Sequence, residues 1–132
     1  MRISIFWGTL LILGACSGGS ENAAVGAEDT EQMLIKPGPA EIRFAADATP
    51  IDVGLSAKYD RSCRTCHSLV DAGAPLTGHK AAWQPRLEAK AFEGLVTSTK
   101  AGLNAMPPMG LCNDCTDEEF KNLIAFMAEG TE

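Results

Sequence analysis

Cys63-Arg64-Thr65-Cys66-His67 constrains this chain more than any other stretch. Two thiols three residues apart lie almost one above the other on a helix. Both sulfurs can then reach the two vinyl groups along one edge of a porphyrin, and the next imidazole can be presented to the iron. Cys-x-x-Cys-His is the attachment pattern of c-type haem. Thioether bonds at Cys63 and Cys66 would hold the group against loss in an open compartment, with His67 as proximal ligand. The expected cofactor is one covalent haem c.

The amino terminus bears on where such chemistry would take place. Arg2 is followed by an apolar run from Ile3 to Leu13. About ten residues are too few to cross a membrane, which needs about twenty. The run ends in Leu13-Gly14-Ala15-Cys16. Apolar run, small residues and Cys together resemble a bacterial lipoprotein signal, which implies removal of residues 1–15 and lipid on Cys16. Ser17 then slightly favours the outer membrane, with the protein on the periplasmic side. Of five Cys, lipidation leaves four, in two Cys-x-x-Cys pairs: Cys63/Cys66 and Cys112/Cys115.

Those two pairs also fit a four-thiolate zinc site. Against zinc stand the 45 residues between the pairs, where a ribbon has about fifteen to twenty. An oxidising compartment also disfavours free thiols, and zinc gives His67 no reason to follow Cys66. A redox-active dithiol would need a thioredoxin-like strand–helix–strand context, and no strand pattern is present.

Residues 16–52 read as a lipid-anchored flexible tether, small and acidic without periodic apolar positions. Lys36-Pro37-Gly38-Pro39 is a further break. Ile42, Phe44, Ile51 and Val53 leave open whether its end lies against the domain. Residues 53–132 read as one all-α domain. A first helix is expected over 54–66, with Leu55, Tyr59, Cys63 and Cys66 along one face. Residues 69–78 read as a loop. The pattern over 80–90 is interrupted by Pro85, predicting two short pieces or a helix that begins there. A helix over 92–101 ends at Gly102. Thr116 with Glu119 forms a capping box for a final helix with Phe120, Leu123, Ile124 and Met127 inward, ended by Gly130. About 78 residues are near the lower limit for a self-sufficient core, and a buried macrocycle would complete it.

Of the net charge of −6, the tether carries most: residues 16–52 hold two basic and seven acidic groups, and 53–132 eight and ten. No basic stripe suits phosphate binding, so no nucleic-acid partner is expected.

A thioether opposite His is the usual second ligand of an electron-carrying haem c. Met127 reads as core. Met106 and Met109 lie in a downstream loop, and Pro107-Pro108 would stiffen the backbone after Met106. Met106 is favoured over Met109, with His79 as the bis-His alternative. Iron ligated on both faces has no open position, so one-electron exchange is expected rather than catalysis on a small-molecule substrate. The partners would be redox proteins. The rival is a five-coordinate peroxidase or gas binder.

Over residues 54–128 the sequence resembles the class I cytochromes c, and within them the small c-five type. The resemblance rests on Gly54, Tyr59, the haem motif, Gly73-Ala74-Pro75, Trp83, Arg86 and Gly102. It continues through Ala105-Met106-Pro107-Pro108, Gly110, Cys112-Asn113-Asp114-Cys115 and Thr116 to Glu119. It implies a small fold of about four helices around one covalent haem, acting as an electron carrier. It further implies Met106 as axial ligand and a short-loop disulfide between Cys112 and Cys115. The Pro75 carbonyl would accept a hydrogen bond from His67, and Trp83 and Arg86 would sit by the haem propionates. Tyr59 is expected to pack between helices. The lipid signal and long acidic tether depart from a typical member.

Overall fold

A computed structural model describes residues 36–130. The export signal and Cys16 lie outside the described residues. Among those described, the regular elements are helical, with one isolated bridge between Leu103 and Met106.

Helix α1 (Pro39–Asp47) falls within the stretch expected as tether. Pro39 at its first position lacks an N–H that would have had no partner there anyway. Glu41 accepts from the Gly38 N–H at 2.6 Å. Ala45 is fully buried, and the Phe44 ring lies against Gly78 and Gly130. Arg64 fastens the end of α1, donating to the carbonyls of Ala46 (2.8 Å) and Ala48 (2.7 Å). Folded structure therefore begins upstream of residue 53.

The predicted first helix is continuous but not uniform. Helix α2 (Val53–Lys58) is capped by Asp52, whose carboxylate accepts from the Leu55 N–H at 2.8 Å. A π-helical turn follows (Tyr59–Cys63), in which the Ser62 hydroxyl donates to the Lys58 carbonyl. Helix α3 (Arg64–His67) then completes the haem motif. Inserted π turns of this kind cluster at functional sites, because they re-aim the side chains that follow.

Helix α4 (Lys80–Ala101) runs through Pro85 and breaks at Ala91, where φ is 53°. The expected interruption at Pro85 is thus misplaced by six positions. Pro85 removes only the bond to the Ala81 carbonyl, and its turn is held from inside. Trp83 and Ala82 are buried, and the Trp83 indole donates to the Leu76 carbonyl at 2.8 Å. The two arms, before and after Ala91, match the two helical patterns read over 80–90 and 92–101.

Helix α5 (Asp117–Glu129) has the expected cap, with the Glu119 N–H donating to Thr116 Oγ1 and the Thr116 N–H to Glu119 Oε2. It ends at Gly130 with φ of 73°. Phe120, Leu123, Ile124 and Met127 are buried, as the spacing predicts. The main helix–helix contact is between α4 and α5. The core cluster adds Tyr59, Trp83, Leu95, Val96 and the Cys112/Cys115 pair.

Candidate haem site

His67 closes the helical run that carries both thiols. It is 6% exposed, and its Nδ1–H donates to the Pro75 carbonyl at 2.8 Å. That bond fixes the tautomer and leaves Nε2 for a metal. Burial is the largest influence on its ionisation and holds the imidazole below its ordinary range. Arg86 acts in the same direction, and the Pro75 hydrogen bond opposes them. At neutral pH the ring is therefore uncharged. Trp83 stacks on it, with ring centroids 5.6 Å apart and planes inclined by 25°.

A single cavity brings together Cys66, His67, Pro75, Trp83, Arg86 and Met106. Leu95, Leu103, Ile124 and Met127 give it apolar walls, while Ala72, Gly73 and Ala74 form part of its border. Cys66 is exposed at this cavity, and Cys63 is half-buried against the core. Burial pushes the Cys63 thiol up to about 11, so its sulfur is neutral.

Met106 arrives on a different segment. Its N–H donates to the Leu103 carbonyl and its carbonyl accepts from the Leu103 N–H, which closes a tight turn. After Pro107 comes a short 3-10 turn (Pro108–Leu111) in which Met109, Gly110 and Leu111 all have positive φ. A Cβ on Gly110 would come within 3.0 Å of the Met106 methyl. Met109 packs against the core cluster and does not border the cavity.

Cys112 and Cys115 are joined in the structure as a disulfide with Cα atoms 5.4 Å apart. Both are buried, and Arg61 bridges to Asp114 inside their loop at 2.6 Å. Paired this way, they cannot complete a four-thiolate metal site. Among the described residues no cluster of three or more His, Cys, Asp or Glu could hold a metal.

His79 lies outside the cavity. It caps α4 and is 2% exposed, with Nε2 3.8 Å from Glu41 Oε1. Trp83 borders the cavity, but its indole N–H is committed to Leu76 and is not free for a propionate. Arg86 is exposed at the border and bonds back to the Ala82 carbonyl. The site fits a flat apolar macrocycle: a buried neutral imidazole with one nitrogen to spare, the Cys66 thiol on its border, a thioether and apolar walls, with the Cys63 thiol one helical turn before Cys66 and not among the lining residues. Sequence reasoning did not single out Leu95, Leu103, Ser98 and Thr99 as lining residues. Leu95 lies on the buried face of α4, and only the packing of α4 on α5 turns it towards a cavity.

A family model described as cytochrome c oxidase, cbb3-type, subunit III, matches residues 55–127. The chain is 45% identical over 73 residues to cytochrome c5 of Azotobacter vinelandii, covering 54% of this chain and 84% of that protein. It is 38% identical over 69 residues to cytochrome c5 of Ectopseudomonas mendocina, covering 52% and 79%. With cytochrome c-555 of Chlorobaculum tepidum it shares 40% identity over 88 residues, covering 64% and 77%.

Proposed function

From the premise that the chain belongs to the class I c-type cytochromes, as an electron carrier with one covalent haem c, we propose that it exchanges single electrons through an iron held between His67 and Met106. The observation that carries this reading is the shared cavity. It is bordered by a buried neutral imidazole, already anchored through Nδ1, and by a methionine from a separate turn. Bound haem supplies a one-electron couple whose potential a thioether ligand raises.

The chain's own residues do the rest. Cys63 and Cys66 anchor the ring through their sulfurs. Pro75 fixes the orientation of His67 by accepting its Nδ1–H. The Leu103–Met106 turn and Pro107 hold the thioether in place, so little conformational freedom is lost on ligation. Leu95, Ile124 and Met127 line the cavity and would exclude water from a bound ring. Arg86, at the border, provides a positive group for a propionate. Held by His67 and Met106, the iron would have no position left for a substrate.

The Cys112–Cys115 pair serves as a native disulfide beside the Met106 loop, as the geometry supports. We assign the chain to the periplasmic side, lipid-anchored through Cys16, on the strength of Leu13-Gly14-Ala15-Cys16 after an apolar run. Among the described residues no helix is long and apolar enough to cross a membrane. The partners are redox proteins, which form small and transient contacts. A lipid anchor would raise the domain's effective concentration at membrane-bound ones.

Oxidised spectra of two variants test the ligand. Met106→Ala should abolish the far-red band of the ferric iron–thioether bond, and Met109→Ala should retain it. The reverse pattern would move the ligand to Met109.

A further inference from the structure

Pro75, half-buried, and the buried Leu76 and Thr77 form a short strip beside His67. Leu76 is 2% and Thr77 0% exposed. A carbonyl can orient an imidazole only if it is itself held, and Pro75 has no N–H with which to hold it. Its neighbours are pinned instead. The Thr77 N–H donates to the His67 carbonyl at 2.8 Å. The Leu76 carbonyl accepts from the Trp83 indole at 2.8 Å. The Thr77 hydroxyl shares a 2.8 Å hydrogen bond with the Tyr59 hydroxyl.

Tyr59 is fully buried at the head of the π turn that leads into the haem motif, with its ring edge-on to Phe126 at 5.2 Å. Trp83 acts twice, through its indole bond and through its face on the His67 ring. Both anchoring bonds are out of reach of water, so losing one partner leaves a buried polar group unsatisfied.

We propose that Tyr59 and Trp83 are positioning residues for the proximal imidazole, acting through the 75–77 strip to set the strength of the His67–Pro75 hydrogen bond and hence the reduction potential. This rests on His67 being an axial ligand. A firmly held Nδ1–H···O bond makes the imidazole a stronger donor and favours the oxidised metal. Slackening the strip weakens that bond and raises the potential.

The test uses haem-loaded full-length protein as wild type, Tyr59→Phe, Trp83→Phe, Thr77→Val and Thr77→Ser. A low-spin wild-type spectrum with the far-red band checks the ligand reading separately; its absence would remove that premise and leave nothing for the variants to report. Two further quantities are read: the reduction potential, and NMR hydrogen exchange of the His67 Nδ1–H in the reduced, diamagnetic protein. Tyr59→Phe, Trp83→Phe and Thr77→Val should each raise the potential and speed that exchange about tenfold, the loss of one buried hydrogen bond. Thr77→Ser keeps the hydroxyl and should stay near wild type. Tyr59→Phe combined with Thr77→Val should shift the potential no further than one of them alone, because they share one bond. Variants that melt earlier yet keep wild-type potential and exchange would overturn the proposal. If Trp83→Phe fails to load haem, the smaller changes at Tyr59 and Thr77 decide it.

Discussion

His67 is set up as a metal ligand by its Nδ1–H bond to Pro75, which leaves Nε2 free, and burial further disfavours the charged form that has no lone pair to give. Around it the motif was legible residue by residue: spacing alone placed the two thiols and the imidazole on one helical run. Met106 followed from its place in a proline-stiffened loop and again from resemblance, Pro75 from resemblance alone, and the structure puts both on the cavity. What spacing could not show is contact between residues far apart in sequence. The stacking of Trp83 on His67 and the commitment of its indole to Leu76 are of that kind. Gly110 offers a sharp test of the Met106 seat. Its φ is +52°, and an added Cβ would meet the Met106 methyl. Gly110→Ala should lower stability by about 1–2 kcal/mol and weaken the far-red band. Thermal unfolding followed at that band should show both effects.

Helix α5 was readable in full because its cap, its apolar spacing and its terminal glycine agree with one another. Helix α1 carried comparable signals, Pro39 at its first position and Glu41 two residues on. It read as a break because Pro37-Gly38-Pro39 also suits a loop, and its apolar face is too short to stand out. Its docking depends on Arg64, inside the haem motif, which reaches back to Ala46 and Ala48. Arg64→Ala should therefore speed amide exchange in residues 42–48 by about tenfold while leaving α5 unchanged.

The tie between α2 and α5 has a pH signature. Lys58 lies 2.5 Å from Glu119, and its hydrogen bond is the main reason the Glu119 carboxyl titrates below its ordinary value. Asp114 is held low likewise, chiefly by Arg61. Around these lowered values the unfolded chain binds more protons than the folded one. The stabilisation is thus complete above about pH 5 and is lost as pH falls through the native values. The melting temperature should drop on acidification below about pH 4, and less steeply in Lys58→Met.

As a whole, the described residues form a small helical fold around one apolar cavity. The expectation of a buried macrocycle followed from length and one motif, since a domain of this size is near the lower limit for a self-sufficient core. The boundary at Ala91 lay between the two helical patterns read over 80–90 and 92–101, but the absence of a break at Pro85 was not legible, because it depends on burial of Ala82 and Trp83 in the same turn. The function turns on whether both axial positions are filled by side chains. Carbon monoxide added to the reduced protein at neutral pH reads this directly, through the visible spectrum. With His67 and Met106 both bound, the spectrum should not change, whereas prompt stoichiometric binding would reveal an open iron and contradict the electron-carrier mechanism.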